Sequence, residues 1–254
     1  WEFEKLMMNN LLMMNRITNV EDIGSSPNST KPPVVGSTVI LGDCVQLMKG
    51  YADKHFDLAI VDPPYGINAP SMAATPCQRK AGSKRLNGGS GKLKNRVLNT
   101  SSINWDNKIP DDDYFDELFR VAKKVIIWGG NYFHLPPTRC IIVWDKVQPW
   151  ENFSQVEMAW TNMDSPARLF KFDNRTGDKI HPTQKPIKLY KWLLKNYAEE
   201  GFKILDTHLG SQSSRIAADE LRFDFTGFEI DEKHFNDGEK RFKQYKSQLR
   251  IEGW

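Results

Sequence analysis

The tetrapeptide Asp62-Pro63-Pro64-Tyr65 closes the apolar run of "LAIVDPPYGI". A strand exit is usually built from glycine, asparagine or serine, which turn the chain at little cost. Two successive prolines instead fix φ twice and delete two backbone donors. What is left is a stiff holder with a carboxylate at one end, an aromatic ring at the other and carbonyl acceptors between. A second group stands in "ILDTHLGSQSS" and "GFEID". There a predicted strand ends in Asp206, a loop containing Gly210 and Ser211 opens a helix, and the next strand ends in Glu229. An acid about 20 residues beyond such a loop commonly accepts hydrogen bonds from ribose hydroxyls. By itself this spacing is equally that of an ordinary strand–loop–helix unit. A third group is "HPTQKP" at 181–186, with Thr183 and Lys185 between two prolines.

These residues can act together only if strands deliver them to one edge of a sheet. "FDLAIVDPP" is apolar without alternation, the pattern of a strand buried on both faces, and "KVIIWGG" and "CIIVWDK" read the same way. "SQVEMAWTN" and "ARLFKF" are shorter strand candidates. "STVILGDC" gives a strand running into a helix start, and "FKILDTHLG" and "FDFTGFEID" add two more strands. "IPDDDYFDELFRVAKK" predicts a helix with Pro110 and Asp111 to Asp113 at its positive end and Lys123 and Lys124 at the other. Further helices are predicted over "PIKLYKWLLKNYAEEG", closed by Gly201, over "SSRIAADELR" and over "EKHFNDGEKRFKQYKSQL". The alternation predicts an α/β fold: one Rossmann-like domain with a mostly parallel, seven-stranded sheet and helices on both faces.

The chain of 254 residues is long enough for that one domain, placed at 37–254, with an N-terminal arm or linker at 1–36 ending in "GSSPNSTKPPVVG". No apolar run approaches the roughly 20 residues that span a bilayer. Glu2 and Glu4 argue against a secretory signal. Cys44, Cys77 and Cys140 form no CxxC pair, so neither a zinc site nor a disulfide framework is expected, and a reducing cytoplasm fits. A net charge of +3 says nothing about nucleic acid, but its distribution does. No acid occurs between Gly66 and Asn104, whereas Lys84, Arg85, Lys92 and Lys94 crowd "CQRKAGSKRLNGGSGKLKNR". Glycine and serine interleave with the charges, which predicts a mobile basic loop over 67–105. A solvated insertion without a partner has the same composition.

The set "DPPYG", "HPTQKP" and "ILDTHLGS…GFEID", in that order, resembles the β-group DNA amino-methyltransferases, which modify the exocyclic amines of adenine or cytosine. The resemblance runs from about "VILGDC" to "GFEIDEKHF". It implies an S-adenosylmethionine-dependent fold with Asp62, Pro63, Pro64 and Tyr65 as the catalytic pocket. It implies that Asp206, Gly210 and Ser211 shape the cofactor loop, that Glu229 holds the ribose, and that Thr183 and Lys185 seat the methionine end. Asp43 would contact the adenine ring of the cofactor; capping the following helix is its alternative. The sequence departs from the family at Gln212, where a second glycine is usual. Its side chain must either crowd the cofactor or turn away.

The implied chemistry explains the odd strand exit. A base amine is a poor nucleophile because its lone pair is delocalised into the ring. A carboxylate and a carbonyl that accept both N–H bonds localise that pair and stabilise the positive charge of the transition state. Asp62 and the Pro63 carbonyl are the acceptors the resemblance supplies, and Tyr65 offers a ring for stacking. A base in a duplex must first be flipped out. The implied partner is therefore double-stranded DNA, held by Lys84, Arg85, Lys92 and Lys94. A target-recognition region is expected at about 146–180, with Trp150, Arg168, Lys171 and Arg175. Its shortness suits a short recognition sequence, a homodimer or reliance on the basic loop. The aspartate at position 62 leans toward adenine N6. Cytosine N4, RNA, and a non-catalytic nucleic-acid binder on this scaffold are the alternatives.

Overall fold

The computed structural model describes residues 36–67, 106–148, 154–173 and 183–249. The arm, nearly all of the basic loop with Lys84, Arg85, Lys92 and Lys94, and also Trp150, Arg175 and His181, lie outside the described residues. Among the described residues eight strands form one sheet: β1 (Ser37–Leu41), β2 (Phe56–Val61), β3 (Ala122–Trp128), β4 (Ile142–Asp145), β5 (Val156–Thr161), β6 (Arg168–Lys171), β7 (Lys203–Asp206) and β8 (Asp224–Glu229). Their order across the sheet is β1-β8-β7-β2-β3-β5-β4-β6. All neighbouring pairs are parallel except β3 with β5 and β4 with β5. The sheet is thus mostly parallel, as expected, with one strand more than the seven expected. Four-residue β6 lies at the rim, pairs only with β4 and leaves Leu169 62% exposed. Its segment is one of the strand candidates named above, and Phe170 is the one β6 side chain that packs partly against the core.

The continuous apolar runs are explained by burial on both sides. Along β2, Leu58 and Ile60 enter one core, and Ala59 and Val61 enter the other. Along β3, Ile126 and Trp128 separate from Val125 and Ile127 in the same way. This is the period of two that a strand imposes, with apolar residues in both phases. Helices α1 (Cys44–Met48) and α2 (Asp112–Val121) cover one face through Met48, Tyr114, Leu118 and Val121. Helices α3 (Ile187–Tyr197) and α4 (Ser213–Glu220) cover the other through Leu189, Leu193, Ala217 and Ala218. The long α5 (Glu232–Leu249) closes the described chain.

Helix α2 begins as predicted, with Asp112 and Asp113 in its first turn, but ends earlier. Lys123 and Lys124 do not sit at its end; they belong to β3, which starts at Ala122 directly after the helix. Pairing of Ala122 and Lys124 with Phe56 and Leu58 of β2 outweighs the weak preference of lysine for a helix end. Helix α3 likewise stops at Tyr197, and Gly201 takes its left-handed turn (φ +82°) beyond it. No described helix is long and apolar enough to cross a membrane.

Candidate active site

Four adjacent parallel strands, β1, β8, β7 and β2, point their carboxyl ends the same way. Each ends in or near an acid: Asp43 just after β1, Glu229 on β8, Asp206 on β7 and Asp62 just after β2. The crevice beyond the carboxyl ends is where such sheets bind ligands. Glu229, 8% exposed, accepts from the Gly210 amide at 2.7 Å through Oε2 and from the Ile230 and Asp231 amides at 3.0 Å through Oε1. Its pKa is raised by burial, which those amides partly offset. Asp206 is buried, accepting from the His208 amide at 3.0 Å and from Ser214 Oγ at 2.5 Å. Burial pushes its pKa up to about 7, against the help of these donors. Ser211 lies in the loop behind Gly210 with its hydroxyl 3.0 Å from that of Ser213. Asp43 caps α1, accepting from the Gln46 amide at 2.9 Å, which is its alternative role. Thr183 is exposed, two residues before the buried Lys185.

Gln212 turns away from the crevice. It keeps the left-handed backbone a glycine would have, with φ +58°. Its fully buried side chain lies between α4 and α5, against Gly238, where an added Cβ would come within 2.6 Å of it. It accepts from Arg215 Nη1 at 2.8 Å and donates to Glu239 Oε1 at 3.3 Å. Arg241 of α5 donates to the Ser211 carbonyl at 2.7 Å, so the same helix also holds the loop backbone.

The Asp62–Tyr65 exit is fixed from several directions. Asp106, 1% exposed, accepts from the Tyr65 amide at 2.7 Å and the Gly66 amide at 2.9 Å. Tyr65 Oη donates to Asp62 Oδ1 at 2.5 Å. The Tyr65 ring stacks on Tyr132 with centroids 5.0 Å apart and planes 11° apart. Tyr132 is 43% exposed and ends a 3₁₀ turn, Gly130–Tyr132, just past β3. Gly129 brings its backbone onto the Tyr65 ring: a Cβ there would lie 2.2 Å from Cε1.

Lys185 enters this group rather than standing free beside the cofactor loop. Its ammonium pairs with Asp62 Oδ2 at 2.5 Å and with Glu157 Oε2 of β5 at 3.1 Å, and donates to Tyr65 Oη at 3.3 Å. Glu157 in turn meets Lys146 at 2.6 Å. Burial raises the pKa of Asp62, and Lys185 only partly opposes it. Burial would lower the pKa of Lys185, but Asp62 and Glu157 outweigh it and the net direction is up. Cys44, its thiol pushed up to about 12 chiefly by burial, is no nucleophile at neutral pH.

The site therefore unites Asp62, Tyr65, Lys185, Asp206, Gly210 and Glu229. Asp106, Gly129, Tyr132, Lys146 and Glu157 were not singled out in the sequence. Only the glycine pair of "IIWGG" carried a signal, since a glycine at a strand exit marks close approach. In the expected recognition region, β5 and β6 are part of the sheet. There Arg168 donates to Asn196 at 2.7 Å and Lys171 pairs with Asp145 at 3.7 Å.

Comparison with known proteins agrees with the motifs. The N6/N4 methyltransferase family model, described as a DNA methylase, matches residues 141–240. The Type II methyltransferase M.HinfI of Haemophilus influenzae is 21% identical over 83% of this chain and 69% of its own. Among solved structures, the cytosine-N4-specific PvuII DNA methyltransferase superposes with a TM-score of 0.51 at 14% identity, over 81% of this chain and 86% of its own. The complex of M1.HpyAVI with SAM gives 0.49 at 17% identity, over 80% and 98%. In sequence the chain is thus similar to the N6/N4 amino-methyltransferases over 141–240, and in fold to a DNA methyltransferase.

Proposed function

We propose that this chain transfers a methyl group from S-adenosylmethionine to the exocyclic N6 amine of an adenine flipped out of duplex DNA. The observation that carries the reading is the junction of two half-sites on neighbouring strands. Asp62 stands on a rigid proline exit after β2, and Asp206, Gly210 and Glu229 line the ends of β7 and β8 beside it.

The residues suit the cofactor. Glu229 and Asp206 offer acceptors for hydroxyl and ammonium groups, and Gly210, at φ +47°, leaves the loop without a side chain there. The side chain of Gln212 does not enter the crevice, because it is bonded to Arg215 and Glu239. Glu229 would hold the ribose, and Asp206, Gly210 and Ser211 would form the loop around the cofactor. When bound, the cofactor supplies an electrophilic methyl group. Asp62 accepts one N–H of the amine and the Pro63 carbonyl accepts the other. The carboxylate has about four lone-pair positions, so Lys185 and Tyr65 do not exhaust it. The prolines contribute orientation, which needs no reorganisation at the moment of transfer. Tyr65 stacks on the base, a contact typically worth about 1–3 kcal/mol. Lys84, Arg85, Lys92 and Lys94 neutralise phosphates.

The aspartate at the first position of the tetrapeptide favours adenine by resemblance; a cytosine N4 amine poses the same problem to the same acceptors. Labelled methyl transfer to unmethylated DNA, followed by nucleoside analysis, separates them. Label in N6-methyladenine is expected. Label in N4-methylcytosine would keep the chemistry and overturn the base, and label in neither would overturn the reading.

A further inference from the structure

Lys146, Glu157, Lys185 and Asp62 form a row of alternating charge, linked at 2.6, 3.1 and 2.5 Å, that runs from the ends of β4 and β5 into the catalytic pocket. The Lys185 side chain is 2% exposed and lies over the ring of Trp128, 5.3 Å from its centroid. An ammonium so placed needs a carboxylate, and Asp62 alone would neutralise it. The second carboxylate needs its own explanation.

Two consequences of Glu157 supply one. An ammonium has three N–H bonds and no acceptor. Asp62 and Glu157 pair with that ammonium at 2.5 and 3.1 Å and Tyr65 Oη accepts from it at 3.3 Å, Glu157 Oε2 acting as a counter-charge and not as a hydrogen-bond acceptor, so Lys185 is drawn between two carboxylates at the clamp. The second consequence is charge. Asp62 with Lys185 sums to zero, and a neutral pair stabilises a developing cation poorly. With Glu157 added, the group nearest the amine carries a net negative charge, and Lys146 balances Glu157 on the far side. We propose that Glu157 is a positioning residue which, by fixing and counterbalancing Lys185, keeps the Asp62 acceptor aimed and electronegative during transfer. The inference rests on the amine-clamp reading of Asp62. It assigns Lys185 to the clamp instead of to the methionine end of the cofactor.

The ionisable groups facing Asp62 are Lys185, Glu157, Tyr65, Asp206, Tyr114 of α2 and Tyr190 of α3. Removing one sign from this set moves the Asp62 titration in a predictable direction. Lys185→Met removes the cation that favours the ionised form and raises the Asp62 pKa. Glu157→Gln removes a like charge and lowers it. Carboxyl ¹³C shifts, assigned with Asp62→Asn, read both movements in the protein without DNA. Cofactor affinity by calorimetry and single-turnover methyl transfer across pH complete the test. Glu157→Gln is expected to slow transfer about 10- to 100-fold with cofactor Kd unchanged, and Glu157→Asp to recover part of the rate.

Opposite movements of the Asp62 titration, with cofactor Kd unchanged in both variants, support the proposal. A Lys185→Met variant that loses cofactor affinity while Asp62 titrates as before would overturn it in favour of a cofactor seat. A Glu157→Gln variant turning over at the wild-type rate would reduce the row to a structural one. If the wild type methylates neither base, the functional reading fails, and the carboxyl titration still decides whether Glu157 and Lys185 govern Asp62.

Discussion

Asp206 places a carboxyl group in the sheet interior at 1% exposure, and burial lifts its pKa to about 7. The usual aspartate value in an unfolded chain is about 3.9. Between these values the folded form holds its proton while the unfolded form has lost it. The stability that proton binding contributes is therefore complete below about pH 4 and is lost as pH rises through about 7. Asp206→Asn has no such dependence. Wild-type stability relative to this variant is predicted to fall by a few kcal/mol across that interval, at about 1.4 kcal/mol for each pH unit crossed. Urea unfolding of both proteins at mildly acidic and neutral pH measures it; a constant difference would contradict a proton held by the buried carboxyl. His208 beside it, its pKa lowered to about 4 mainly by burial, is common to both proteins and cancels in the comparison.

At the scale of elements, the exit of β3 positions the Tyr65 ring as firmly as the prolines do. Gly129 adopts φ +70° and leaves no room for a Cβ beside Tyr65; Gly130 leaves none beside Trp160, where a Cβ would come within 2.4 Å. Gly129→Ala combines a left-handed strain with a direct push on the ring. It is predicted to cost about 1–3 kcal/mol of stability and to slow transfer about 10²-fold, measured by urea midpoint and single-turnover rate. A wild-type rate in that variant would show that the ring position does not matter.

The elements themselves were largely legible in the sequence, because a strand buried on both faces writes an unbroken apolar run such as "LAIV". Their boundaries were less so. "RVAKKVIIW" contains no glycine or proline where α2 becomes β3, and only pairing with β2 sets the change. Candidate-site residues within a motif were legible for the same reason that motifs exist: Asp62 and Tyr65 stand in one stiff tetrapeptide. Glu157 was not, since its role comes from a lysine elsewhere in the chain. Asp106 was not either, since it caps a turn 40 residues before it.

At the scale of the molecule, strand order turns separate acids into one crevice. The chain inserts β7 between β8 and β2, so the Asp206 loop and the Asp62 exit become neighbours although they are far apart in sequence. No composition or local pattern reveals that insertion. The charge proposed to meet DNA, by contrast, shows in its distribution alone, in the acid-free stretch holding Lys84, Arg85, Lys92 and Lys94. Replacing these four with serine is predicted to weaken DNA binding for all sequences. It should also flatten the dependence of log Kd on log salt by up to about 0.9 for each phosphate that is no longer neutralised. Fluorescence anisotropy over a salt series measures the slope; an unchanged slope would leave the stretch a solvated insertion.

The amine clamp is tested most directly by single-turnover methyl transfer with Asp62→Ala, beside calorimetric binding of S-adenosylmethionine to the same protein. Transfer should fall by at least about 10²–10³-fold while the cofactor binds as it does to the wild type. Turnover that survives the loss of this carboxylate would contradict the clamp.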